Sequence, residues 1–161
     1  MKLKRTLSGL TPLLLTLCLL LFSTGAGAAT NDRPTPEVLT GGKIVTAPAL
    51  RSLIKGGTVT VIDVRNPINF GRGHIPTAVS LPYSGKVEKS DTFVPAPGVI
   101  DFAQLPVDKA APILVYSHGP TGWKSYLAAL VAINLGHTNV MWLRGGYSSW
   151  TESGFSVARG R

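Results

Sequence analysis

The residues best placed to do chemistry lie in one run, Ser117-His118-Gly119-Pro120-Thr121-Gly122-Trp123-Lys124. It follows the most hydrophobic strand-like stretch, Pro112 to Tyr116 (PILVY), and leads into Lys124 to Leu135 (KSYLAALVAINL), which reads as an amphipathic helix ended by Gly136. A strand that passes through such a loop into a helix leaves amide N–H groups and the positive end of the helix dipole beside the loop. Lys124 adds a full charge. The run is therefore suited to hold a small anion. On spacing alone, a plain strand-to-helix turn with glycines for steric room fits equally well.

Hydrolysis is a poor reading of the same run. Ser117 would need a base, and His118 is its direct neighbour, whose side chain tends to point the other way at a strand end. No G-x-S-x-G surrounds the serine. Asp63 and Arg65 close an earlier strand on the same side of the expected sheet. They are read first as an ion pair supporting the pocket, with Arg65 steering an anion as the alternative. His118 is expected to be a solvent-open loop residue, His74 to make a structural hydrogen bond, and His137, just past a helix end, to lie on the surface. Trp123, Trp142 and Trp150 read as packing residues, of which Trp123 is best placed to line a pocket. With three histidines and one cysteine in the chain, no metal and no cofactor is expected.

The single cysteine, Cys18, falls in a segment with its own meaning. Met1-Lys2-Leu3-Lys4-Arg5 is basic, Leu13 to Phe22 (LLLTLCLLLF) is apolar, and Ala26-Gly27-Ala28 has the small-x-small form of a cleavage site. This is the layout of a secretory signal, and the apolar stretch is short for a membrane span. Leu17 stands before Cys18, where lipid attachment would need a small residue. Cleavage after Ala28 or Ala29 removes Lys2, Lys4, Arg5 and Cys18, so the mature chain has no thiol. The formal charge of +8 falls accordingly. The remaining basic residues are scattered, which argues against nucleic acid. A bacterial periplasm, with no membrane contact after cleavage, is the expected compartment.

The elements that must position the loop alternate. Hydrophobic residues at 44% and charged ones at 15% allow a packed core. Residues 1–28 are read as the signal, 29–41 as a flexible leader and 42–158 as one domain, with 83–111 an irregular excursion anchored by Phe93, Ile100, Phe102 and Leu105. Strands are expected at Lys43–Val45, Thr58–Val64, Ala78–Leu81, Pro112–Tyr116 and Val140–Leu143. Helices are expected after Thr46, over Pro67–Phe70, over Lys124–Leu135 and over Tyr147–Ser153. Strands separated by helices imply crossover connections and a mostly parallel sheet covered on both faces.

Two long runs resemble the rhodanese-like domains, a sulfurtransferase family. VIDVRNPINFGRGHIPTAVSLP (Val61 to Pro82) is similar to that family's D-V-R strand end followed by G-H-I-P-x-A. ILVYSHGPTGWKSYLAALVAINLGHTNVMWLRGGYSSWTESGFSV (Ile113 to Val157) is similar to its second half, including the G-G-x-x-x-W ending at Gly145 to Trp150. The resemblance implies an α/β fold, a five-stranded parallel sheet with helices on both faces. It also implies sulfur chemistry: a loop cysteine takes sulfur from a donor such as thiosulfate, carries it as a persulfide and passes it on. The position after Val115-Tyr116 holds Ser117, which cannot carry a persulfide. The loop resembles an exported variant, C-x-G-P-x-C-W-x-S, with both cysteines replaced, by Ser117 and Gly122, and with Gly119, Pro120, Trp123 and Ser125 kept. The resemblance thus implies a module without sulfurtransferase turnover, which binds a thiosulfate-like anion or a periplasmic protein partner. The alternative is a protein that still handles thiosulfate or sulfane sulfur.

Overall fold

Val61 and Ile62 are both fully buried, although neighbouring residues in a strand face opposite ways. Only a sheet covered on both sides allows this, and the same holds through Ile113–Tyr116 and Val140–Leu143, where every residue is buried. The computed structural model describes residues 33–160. The predicted signal and the first residues of the leader lie outside the described residues.

Five strands, β1 (Lys43–Ile44), β2 (Thr60–Asp63), β3 (Val79–Ser80), β4 (Ile113–Tyr116) and β5 (Val140–Leu143), form one sheet in the order β1-β5-β4-β2-β3. Every pairing is parallel. The helices are α1 (Ala47–Lys55), α2 (Pro67–Arg72), α3 (Trp123–Asn134) and α4 (Gly146–Glu152). Thr46 caps α1, its side chain accepting from Ala49 N, and Asn66 caps α2 in the same way from Asn69 N. Both helices carry proline in the first turn, where no N–H is needed.

The two faces carry separate cores. Ile62, Val115 and Trp142 pack with Tyr126, Leu127 and Val131 of α3 on one side. Val61, Leu114 and Leu143 pack with Leu50 of α1 and Trp150 of α4 on the other. The strand and helix expectations therefore hold to within a residue or two at most ends.

Three expectations need correction: those for one helix, for the leader and for His137. The helix read as amphipathic is buried around most of its circumference, because Leu39 of the leader and Val99, Ile100 and Leu105 of the excursion share its core. The leader, read as flexible, is bonded to the domain from Arg33 onward, and Leu39 is 4% exposed. The excursion is irregular, as expected, with a 3₁₀ turn at Phe102–Gln104, and its expected anchors Ile100 and Leu105 are buried while Phe93 and Phe102 pack against the core.

His137, expected on the surface, is 2% exposed. Its Nε2 lies 3.0 Å from Lys109 Nζ, and its buried Nδ1 has no partner among the described residues. An ammonium only donates, so Nε2 accepts and the ring is neutral. Burial, with the Lys109 charge beside it, pushes the His137 pKa below its ordinary value. A histidine whose pKa is depressed on folding contributes stability that is complete above its unfolded pKa, about 6.5, and is lost as pH falls through the folded value. Urea unfolding between pH 8 and pH 5 should show this loss in the wild type and a shallower acid limb in His137→Gln, whose amide can still accept from Lys109. Parallel limbs would contradict it.

Candidate functional site

The chain leaves β2 toward β3 and leaves β4 toward β5, in opposite directions along the sheet. A parallel sheet opens a crevice beyond the strand ends at such a reversal. The crevice here is a cavity of about 270 Å³, open to solvent. One wall comes from the end of β2 through Arg65 and Asn66, and the other from Ser117, His118, Thr121 and Gly122 of the loop, with Trp123 and Lys124 at the start of α3. Val87 and Lys89 of the excursion close the rim. Of the eight loop residues singled out from sequence, Gly119 and Pro120 do not line the cavity.

Asp63 and Arg65 do form the expected pair. The Arg65 guanidinium donates from Nε to both carboxylate oxygens at 3.0 Å, and its Nη2 donates to Asp63 Oδ2 at 2.6 Å and to Gly73 O at 2.7 Å. Asp63 Oδ1 also accepts from the Arg65 amide at 2.9 Å. The guanidinium lies over the Tyr147 ring, 4.2 Å from its centroid. Burial alone would lower the Arg65 pKa, but the Asp63 carboxylate more than offsets it, and the pKa is raised. Tyr116, which pairs in register with Asp63, has its phenol pKa raised by burial and by that carboxylate.

Ser117 is turned inward. It is 2% exposed, and its hydroxyl lies 3.0 Å from Gly122 O and 2.9 Å from Ser125 Oγ. Ser125 in turn approaches Gly122 O at 2.9 Å and accepts from Trp142 Nε1 at 3.0 Å. The Ser117 hydroxyl is thus engaged by Gly122 O and Ser125 Oγ, and among the described residues it bonds to no histidine or carboxylate. The loop around it is held from outside. Tyr147 N donates to Ser117 O at 2.8 Å and Ser148 N to His118 O at 2.9 Å. That approach needs Gly146, where a Cβ would come within 2.6 Å of loop backbone and where φ is +58°.

Among the described residues, the amides of His118, Thr121 and Lys124 donate to no backbone acceptor. His118 is exposed and its Nε2 lies 3.3 Å from Asn69 Nδ2. Partial burial and then the Arg65 charge lower its pKa, with Asp63 opposing and Lys124 adding a smaller push downward. His74 makes a structural bond, Nδ1 to Phe70 O at 3.0 Å, and stacks on the Phe70 ring. Among the described residues no group of three or more His, Cys, Asp or Glu side chains is placed to hold a metal.

The rhodanese-like domain model matches residues 46–153. The chain belongs to the rhodanese-like domain family. A protein of Allochromatium vinosum named "Sulfurtransferase" is 27% identical over 99 residues, which cover 62% of this chain and 78% of that one. The crystal structure of a thiosulfate sulfurtransferase from Pseudomonas aeruginosa matches with a TM-score of 0.58 at 22% identity, over 76% of this chain but only 21% of that larger protein. A Bacillus halodurans protein matches with a TM-score of 0.54 at 29% identity, over 73% of this chain and 77% of its own.

Asn66, Val87 and Lys89 were not legible as parts of the rhodanese-like site. Asn66 directly follows Arg65 and could have been found from that adjacency. Val87 and Lys89 lie in a stretch without periodicity, and nothing local marks them.

Gly122 has φ −80°, which suits any residue, so glycine here is a matter of space. A Cβ at this position would run into Ser117 Oγ and come within 2.8 Å of Gly119 O and 3.4 Å of Ser117 Cβ. The last separation is near the Cβ–Cβ range of a disulfide, about 3.5–4.5 Å. The double variant Ser117→Cys/Gly122→Cys should therefore oxidise to an internal disulfide, read as loss of titratable thiol. Two persistently free thiols would show that the positions do not meet.

Proposed function

We propose that this chain is an exported rhodanese-like module that holds a small anion of the thiosulfate class in the β2–β4 crevice, without sulfurtransferase turnover. The observation that carries the reading is Ser117. It stands at the strand end where the family resemblance places the sulfur-carrying cysteine, and its hydroxyl is bonded to Gly122 O and Ser125. A persulfide needs a thiolate. The only cysteine in the sequence is Cys18, inside the segment read as a removed signal. Even a restored thiolate would lie about where Ser117 Oγ lies, 3.0 Å from a carbonyl oxygen, which disfavours negative charge there.

The anion reading rests on the crevice rim. Lys124 and the amides of His118, Thr121 and Lys124 supply donors, and the cavity lining includes no Asp or Glu. Asp63 is occupied by Arg65. The volume, about 270 Å³, is just below the usual range for drug-sized ligands, about 300–1,000 Å³. A second reading keeps a sulfur role, in which bound thiosulfate is delivered to another protein. The likeness to the Allochromatium vinosum sulfurtransferase favours it.

Calorimetric titration separates these readings. Thiosulfate and sulfate should both bind the wild type, and Lys124→Ala should weaken both about tenfold, the scale of one hydrogen bond from a charged group. A clear preference for thiosulfate over sulfate supports the sulfur role, and no heat with either salt removes the anion site in favour of a protein partner. The wild type should form no thiocyanate from thiosulfate and cyanide above background. Turnover at the rate of an active sulfurtransferase would overturn the proposal.

Export is part of the same reading and is checked separately. Expressed in a bacterium, the chain should be recovered from the periplasm with an N-terminus at Ala29 or Thr30. An intact Met1 there, or a wholly cytoplasmic chain, would contradict it.

A further inference from the structure

Residues 33–36 of the leader form a strap against the loop. Thr35 is 2% exposed, and both its amide and its hydroxyl donate to Pro120 O, at 2.8 and 2.7 Å. A carbonyl oxygen has two lone pairs, so Thr35 saturates it. Pro120 lies two residues before the Gly122 N-cap, so its carbonyl belongs to the loop and not to the α3 ladder. The Lys124 N–H, at the second position of α3, is one of the helix's orphan donors.

The strap is itself clamped. Arg144, the first residue beyond β5, donates from Nη2 to Thr35 O and from Nε to Pro36 O, each at 2.9 Å. Arg33 O accepts from Trp123 Nε1 at 2.7 Å, and the Arg33 guanidinium donates to Lys89 O at 2.8 Å. Residues 33–36 therefore join the loop, the start of α3, the end of β5 and the excursion rim. None of the strap residues lines the cavity.

We propose that Thr35 and Arg144 are positioning residues for the β4–α3 loop. They set its backbone, and with it the placing of the loop's donors, without touching the ligand. The ligand side of this inference rests on the anion reading above; the positioning of the loop does not.

The test uses the full chain, with Thr35→Val, which keeps the backbone N–H and the shape but loses the hydroxyl, Thr35→Ser, which restores it, and Arg144→Ala. Amide hydrogen exchange is compared between the bonded loop amides, Gly122 and Trp123, and strands β4 and β5. Thr35→Val and Arg144→Ala should each speed exchange at Gly122 and Trp123 about fivefold, the scale of one neutral hydrogen bond. The two strands should stay as in the wild type, and Thr35→Ser should revert the loop. Thiosulfate affinity should fall by about the same factor. Loop exchange equal to the wild type, or a rise spread evenly over loop and strands, overturns the proposal. So does a loosened loop with unchanged affinity. If Arg144→Ala does not fold, the Thr35 pair decides. If the wild type binds no thiosulfate, the anion reading fails, and exchange alone judges the positioning.

Discussion

The buried Asp63–Arg65 pair is the constraint around which the crevice end of this domain is arranged. Two charges taken out of water are tolerable only when each finds a full set of partners, and removing one partner from such a pair typically costs about 3–5 kcal/mol. Arg65 satisfies this by spanning three elements: the carboxylate at the end of β2, the Gly73 carbonyl after α2 and the face of Tyr147 in α4. The strand end, the G-H-I-P turn and the closing helix are therefore fixed against one another. The turn is further tied to the chain's last described residues by paired bonds between His74 and Ala158. α4 in turn donates to the carbonyls of Ser117 and His118. The pair thus reaches the loop through Tyr147. Because the guanidinium is consumed by Asp63, the positive character of the crevice falls to Lys124, the loop amides and the excursion rim.

Within that frame Ser117 and Gly122 behave as one unit. A side chain at 122 would occupy the space of the Ser117 hydroxyl, and the Gly122 carbonyl is a partner of that hydroxyl. Serine at one position is accommodated by glycine at the other. The outcome is a small network of two hydroxyls, one carbonyl and the Trp142 indole in which every buried donor has an acceptor. A network of this kind stabilises a neutral hydroxyl. It does the reverse for an anionic sulfur, which would need N–H groups where the carbonyl stands. The local chemistry that keeps Ser117 in place is thus the same chemistry that separates it from a sulfur carrier.

Most of this was legible in the sequence wherever the cause was local. β-branched runs marked β2 and β4, Thr46 and Asn66 lie where caps are needed, and the succession of strands and helices implied parallel pairing. The loop and the Asp63–Arg65 pair were legible because each sits within a few residues of a strand end, and strand ends in a parallel sheet face one side. What escaped detection depends on contacts between distant residues. Thr35 meets Pro120 across 85 residues and Arg144 meets Pro36 across 108. No period, cap or turn signal encodes such a meeting, and a stretch with two prolines and little hydrophobic content resembles a loose leader until its partner is known. His137 was misread for a related reason. A residue just past a helix-ending glycine is ordinarily exposed, but Lys109 from the end of the excursion folds over this one.

The leader and the excursion also resolve an energetic tension at the crevice. A binding loop must keep donors unbonded internally, and a buried donor without an acceptor costs about 1–3 kcal/mol. The first N–H groups of α3 carry that cost as in any helix, since none has an intrahelical acceptor. Gly122 as N-cap provides no side chain to satisfy them. Thr35 ties the loop backbone from outside at the Pro120 carbonyl, and Arg144 holds Thr35 from a strand end. The loop is thereby fixed by residues that lie outside the cavity. This division of labour lets the crevice remain polar without collapsing onto itself.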